Sequence, residues 1–293
     1  MDNWRYDYQP IIKREPIKWP NGARLAFMIC PNIEYFHIDK PLSRGPSKYL
    51  PDLQAYCLRD YGSRVGVFRL MDVLDKHDIR ATVMLNGEVC ERHSDIIEEG
   101  KKRNWEWCGH GMTNNLRMSD YTSEEEAEMI RQVKEKITAA VGVAPKGWLG
   151  PGLSETFNTP DYLAAEGFEY VCDWGCDDQP IPMRVKSGRL LALPYQQGLT
   201  DMIYMSQNHT PEQYLKMVQD QFDTLYQESK TIARVMTLSV HPYISGLPFR
   251  IKYLDKALQY IRSHDEVWPA TGSEITQWFY HGLREPGSMA KQY

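Results

Sequence analysis

Residues 105–114, WEWCGHGMTN, have the look of half a metal site: His110 is followed four positions on by Asn114, where a zinc enzyme more often supplies a second histidine, and Cys108 stands two before it. Asn32 and Glu34 lie in PNIEYF, His241 in LSVHP, Trp148, Pro151 and Gly152 in GWLGPG, and Asp173, Asp177 and Asp178 in CDWGCDDQP. Imidazole and carboxylate groups in one chain support two chemistries. Either they ligate zinc and polarise its water, or a carboxylate or imidazole takes a proton from water while another group supplies one to the leaving atom.

These residues act together only if the fold gathers them, and the pattern of the chain indicates how. RLAFMICPNI (24–33) is a continuous apolar run and reads as a buried strand, followed by a loop rich in Pro, Gly and Tyr from about 35 to 60. Val67, Leu70, Met71 and Leu74 recur at helical spacing within 65–78, and RATVMLNG (80–87) is the next strand. The alternation continues with a helix over 95–104, a strand over 105–111, and a helix opened by a Thr122/Glu125 capping box and closed at Gly142. KGWLGPG (146–152) is a strand and loop, 159–168 a helix, EYVCDW (169–174) a strand, and Thr210, Pro211 and Gln213 cap a helix running to about 229. RVMTLSVHP (234–242) is a strand and 248–264 the last long helix.

Strands alternating with helices at this frequency form parallel βα units. Six or seven are visible, with no composition break, no G-x-G-x-x-G and no P-loop. The expectation is an α/β fold of one domain over 1–293, a distorted or incomplete (β/α) TIM-like barrel with residues 1–20 as an N-terminal arm. Reactive groups of such barrels sit just past the carboxyl ends of the strands. That rule selects Asn32, Glu34, Asn86, Cys108, His110, Trp148, Pro151, Gly152, the three aspartates and His241. A lone histidine at a strand end is more often structural; it is the pair His110 and His241 that points to a site. His37, His77, His93, His209, His264 and His281 fall in expected loops or on helix surfaces and receive no role.

Composition narrows the function classes. A net charge of -5 without basic runs argues against nucleic acid. The N-terminus has no apolar leader, and no stretch approaches the roughly 18 apolar residues of a membrane span, so a cytoplasmic protein with a small-molecule partner is expected. Six scattered cysteines read as reduced, buried hydrophobes; Cys172 and Cys176, four apart, are the pair whose spacing would permit a shared metal.

In order along the chain, N-I-E after the first strand, RDYGSRVGVFRL, NG after the second, GHGMTN after the third, DWGCDDQP after the fifth and LSVHP near the end resemble the polysaccharide deacetylase (NodB-homology) superfamily. Within it, the set is most similar to the branch of metal-independent allantoinases and cyclic imide hydrolases, over roughly residues 15–280. Metal-dependent members use an Asp base, a metal-binding Asp, two ligand histidines and a late acid histidine. The resemblance places these on Asn32, Glu34, His110 with Asn114, and His241, and puts Leu149 where the deacetylases carry an arginine. Asn32 cannot take a proton and Asn114 is a weak zinc ligand, so the expectation is no cofactor. If zinc is bound, its ligands are Glu34, His110 and either Cys108 or Asn114.

The resemblance then implies hydrolysis of a small cyclic amide, a cyclic imide opened to a half-amide. Glu34 or His241 assists water and the other the departing nitrogen, while His110 donates to the carbonyl oxygen. Asn32, Asn114 and the backbone N–H groups near Gly150–Gly152, with Pro151, hold the ring, and Tyr35 or Trp148 covers it. The competing expectations are an allantoinase, a metal-dependent carbohydrate or peptidoglycan deacetylase, and a binding barrel without activity. Relatives of this branch are commonly homo-oligomers, and the aromatic segment NWRYDYQP suits a subunit contact.

Overall fold

The computed structural model describes residues 3–41 and 50–282; residues 1–2 of the expected N-terminal arm, 42–49 of the loop after the first strand, and 283–293 lie outside the described residues. The strands are β1 (Leu25–Ile33), β2 (Thr82–Leu85), β3 (Glu106–Gly109), β4 (Gly147–Trp148), β5 (Tyr170–Val171), β6 (Ile181–Met183), β7 (Leu190–Ala192), β8 (Arg234–Val240) and β9 (Val267–Pro269). They form one sheet in the order β6-β7-β5-β4-β3-β2-β1-β8, with β9 also on β1. Every pairing is parallel except β6 with β7. β1 is long because it serves three neighbours: β8 along one edge, and on the other β9 beside Leu25–Phe27 and β2 beside Asn32 and Ile33.

The helices are α1 (Leu53–Tyr61), continuing through a π-helical turn at Gly62–Gly66 into α2 (Val67–Lys76), then α3 (Val89–Arg92), α4 (Ser94–Lys102), α5 (Ser123–Val141), α6 (Thr159–Ala165), α7 (Ile203–Ser206), α8 (Pro211–Glu228), α9 (Ile251–Arg262) and α10 (Gly272–Gly282). Both expected capping boxes are formed, Thr122 with Glu125 and Thr210 with Gln213, and Gly142 ends α5 in the left-handed conformation. Among the described residues no helix is long and apolar enough to cross a membrane.

Strand alternation divides the core in two. Leu25, Phe27, Ile29, Val83, Leu85, Trp107, Trp148 and Leu238 face the helical layer. Ala26, Met28, Cys30, Met84, Cys108, Leu149, Cys172, Leu191 and Leu193 fill the lumen. Both faces of the sheet are covered, which is why the strands read as unbroken apolar runs. The sheet curls but does not close by strand pairing between β7 and β8. Side chains span that gap: Gln196 accepts from the Thr237 N–H at 2.6 Å and donates to Val235 O, and Gln179 donates to Ala233 O at 2.7 Å. The fold is the expected α/β, incomplete TIM-like barrel.

Candidate active site

At the carboxyl ends of β1, β3 and β8 the structure brings Glu34, His110 and His241 together. Cys30, Asn32 and Glu34 are two apart and share the lumen side of β1, so the chain places an apolar residue, a polar floor and an acid in succession. Glu34 Oε1 lies 3.5 Å from His110 Nε2 and 3.7 Å from His241 Nε2. Asn114 Nδ2 donates to the same oxygen at 2.7 Å, and the Tyr243 hydroxyl donates to Oε2 at 3.0 Å. Burial pushes the Glu34 carboxyl up, but contact with His110, the charges of the two imidazoles and the Tyr243 hydrogen bond outweigh it, and the group ends below its usual range. Glu34 is a carboxylate at neutral pH.

Both imidazoles are fixed through Nδ1. His110 Nδ1 lies 2.6 Å from the Leu149 carbonyl oxygen, which can only accept, so Nδ1 carries the proton. The other nitrogen, Nε2, faces Glu34, is buried and has no hydrogen-bond partner. Asn86 ties the strand ends together, donating to His110 O and accepting from the Tyr35 N–H.

His241 is held by Asp201, which is completely buried between Gly198 and α7. Asp201 Oδ1 lies 2.6 Å from His241 Nδ1, and Oδ2 accepts from the His241 N–H at 2.7 Å and from Ser245 Oγ at 2.7 Å. Burial opposes charge on the ring, but Asp201 and then Glu34 overcome it and raise His241 above its ordinary value. The result is an Asp201–imidazolium–Glu34 line with Nε2–H facing the carboxylate.

The remaining expected residues divide. Asn32 is the floor: its Nδ2 donates to Ser239 Oγ at 3.0 Å, Tyr195 Oη at 3.2 Å and Cys30 O, so its amide is used within the protein. Asn114 leaves its buried Oδ1 unpartnered beside Glu34. Tyr35 lines the cleft that opens on Glu34, with Tyr56, Arg59, Ser63 and His93. Trp148 does not cover a ring: alternation sends Leu149 into the lumen and Trp148 to the helical side, fully buried with its ring edge-on to Phe168 at 5.6 Å. The Gly150 N–H is not free for substrate, because Asp173 accepts it at 2.8 and 3.0 Å. Pro151 is buried against Gly111, and Gly152 lies under the Arg117 guanidinium.

Asp173 has a further partner in Glu155. Burial pushes both acids up, Glu155 to about 8 and Asp173 well above its ordinary value, and the charge of Glu155 adds to the rise of Asp173. Asp177 is structural, paired with Arg14 at 2.7 Å and capping the Gln179 N–H. Cys172 is buried in the lumen and Cys176 is exposed beside Tyr6, so the two share no site.

Zinc, which metal-dependent relatives of this fold would hold here, finds a poor donor set. His110 Nε2 and Glu34 Oε1 are suitable atoms, but a neutral amide at Asn114 takes the third place, and its Nδ2 already occupies Glu34 Oε1. Cys108 lies one layer deeper in the lumen, where burial drives its thiol well above the ordinary range. Among the described residues no group of three His, Cys, Asp or Glu has metal-holding geometry.

Asp201, Tyr243, Arg59 and His93 were not expected at the site. Tyr243 had a signal, standing two residues after His241; Asp201 had none, since it follows no strand or motif.

Residues 52–171 match the family model described as polysaccharide deacetylase. A putative polysaccharide deacetylase of Schizosaccharomyces pombe is 24% identical over a 301-residue alignment covering 88% of this chain and 91% of its own length. A probable polysaccharide deacetylase from Pseudomonas aeruginosa superposes with a TM-score of 0.83 at 25% identity, covering 92% of this chain and 95% of that one. A Puue allantoinase superposes with a TM-score of 0.84 at 23% identity, covering 96% and 100%.

Proposed function

Because the chain carries a polysaccharide deacetylase (NodB-homology) domain, whose chemistry is hydrolysis of C–N bonds, we propose that it opens a small cyclic amide, a cyclic imide of the succinimide type, to the half-amide without a bound metal. The observation that carries this reading is the ion line Asp201–His241–Glu34, with the Asn114 amide donating to the same Glu34 oxygen. Glu34 is the general base. Water held between its Oε1 and His110 Nε2 gives a proton to Glu34 as its oxygen bonds to the ring carbonyl. The C–N bond then breaks, and His241 delivers the Nε2 proton to the departing nitrogen. The Asn114 Oδ1 accepts from a ring N–H, and Tyr35 lies against the ring.

The chemistry of the substrate suits this equipment. With hydrogen-bond donors in place of a Lewis acid, the bond must be an easy one to break. In a cyclic imide the carbonyl is strongly electrophilic and the leaving nitrogen stays conjugated to a second carbonyl. An N-acetyl group on a sugar has neither advantage. A ureide ring such as allantoin is the second reading, favoured by the polar wall of Arg59, Ser63 and His93 in the cleft.

The test is a panel of succinimide, hydantoin, allantoin and N-acetylglucosamine oligomers, run with Glu34→Gln as control. Ring opening, and a loss of about 10³ in kcat for the variant with little change in KM, is expected. Acetate release exceeding ring opening would return the protein to the deacetylases, and no turnover of any member would favour a barrel that only binds.

A further inference from the structure

We propose that Arg59 is the specificity-determining residue of this site and that it recognises a carboxylate on the substrate, remote from the bond that is cut. The proposal rests on the reading of Glu34 and His241 as a hydrolytic centre. Arg59 lies on α1, one turn before the π-helical turn, and π-turns inserted into α-helices are frequent at functional sites. The turn presses directly on the loop that carries His241. A Cβ on Gly66 would lie 2.1 Å from Pro242 O, and one on Gly62 would lie 2.6 Å from the Tyr243 nitrogen. Only bare backbone fits at those two positions, so the helix is seated against the catalytic loop and Arg59 is carried over the cleft.

The guanidinium carbon lies 4.6 Å from the centre of the Phe36 ring and 5.3 Å from that of Tyr243, whose hydroxyl holds Glu34. Its bonding capacity is largely unspent. Nη1 donates to Ala55 O at 3.0 Å, but the buried Nε has no partner. Among the described residues no carboxylate forms an ion pair with Arg59, and its neighbour Asp60 is engaged by Arg64 at 2.6 Å.

A guanidinium partly removed from water, walled by aromatic rings and held in no ion pair among the described residues, favours an incoming anion. The planar fork matches a carboxylate, and hydrogen bonds between charged groups are the strong ones. Arg59 and Glu34 line the same shallow, open cleft of about 30 Å³ with Tyr35, Tyr56 and Ser63, so a ring seated at Glu34 reaches the guanidinium through a short acidic substituent extending along the open side. If Arg59 only stacked on Phe36 and Tyr243, losing it would slow all substrates in proportion. A recognition role changes their ratio.

The experiment compares hydantoin with its 5-acetic acid derivative, in the intact protein and in Arg59→Gln and Arg59→Lys, with succinate binding measured by calorimetry on the same samples. Wild type is expected to prefer the acid in kcat/KM by about tenfold or more, and Arg59→Gln to abolish that preference mainly through KM, with Arg59→Lys between them. Succinate affinity falls at least tenfold in Arg59→Gln. An unchanged acid-to-neutral ratio together with unchanged succinate affinity in a variant of normal melting temperature overturns the proposal. Succinate binding that depends on Arg59, with neither ring opened, upholds anion recognition and refutes the hydrolytic reading instead.

Discussion

Replacing Asp201 with Asn tests how the site holds its acid. The carboxylate lies 2.6 Å from His241 Nδ1 inside the protein and is the main group that lifts the imidazole above its ordinary value against the pull of burial. Removing one member of a buried, hydrogen-bonded ion pair costs about 3–5 kcal/mol. Asn keeps the shape and part of the hydrogen bonding, so about 3 kcal/mol, or about two pKa units, is the working figure. The sign follows from the direction of the shift. With its value raised, His241 keeps its proton as pH rises through neutrality; without Asp201, burial alone acts and the proton is lost at lower pH.

In a pH profile of kcat for cyclic imide opening, the alkaline limb of Asp201→Asn should therefore move to lower pH, with activity on that limb falling by up to about a hundredfold. KM should change little, because Asp201 touches only His241 and Ser245 and the local backbone. An alkaline limb that stays in place, with kcat within threefold of wild type, would refute the assignment of His241 as an acid tuned by Asp201.

Two further outcomes follow from neighbouring groups. Tyr243→Phe removes a donor that holds Glu34 low, so the acid limb should rise by up to about one unit; an unmoved acid limb would mean Glu34 is not the group being titrated. Glu155, raised from 4.5 to about 8, keeps its proton better in the native than in the unfolded chain, so its contribution is fully present below the unfolded value and is lost as pH rises toward 8. Glu155→Gln, which keeps a donor there at every pH, should gain on the order of 3 kcal/mol relative to wild type between pH 5 and pH 9 in urea unfolding; a difference independent of pH would contradict the raised Glu155.

What the sequence made legible follows from what each element buries. β1 and β8 announced themselves because both faces are covered, and α2, α4 and α9 because each has one apolar face. α1 reads as loop in the sequence because none of its residues is buried, which leaves no apolar periodicity. β6, β7 and β9 are three residues long, two of them containing proline, and α10 followed one of these unseen strands. At the site, the strand-end rule found Glu34, His110 and His241, each of which stands one residue past the end of a regular strand. It misassigned Trp148, because position after a strand does not say which face a side chain takes. Asp201 and Arg59 reach the centre from a short turn and a helix, where no strand rule applies.

The most direct test of the central claim is turnover of a cyclic imide by protein stripped in chelator and checked by elemental analysis for zinc. Ring opening is expected at the full rate with zinc far below one atom per chain, and no gain when zinc is returned. Turnover that vanishes on stripping and recovers in proportion to added zinc would contradict it, and would mean that Asn114 completes a metal site rather than replacing one.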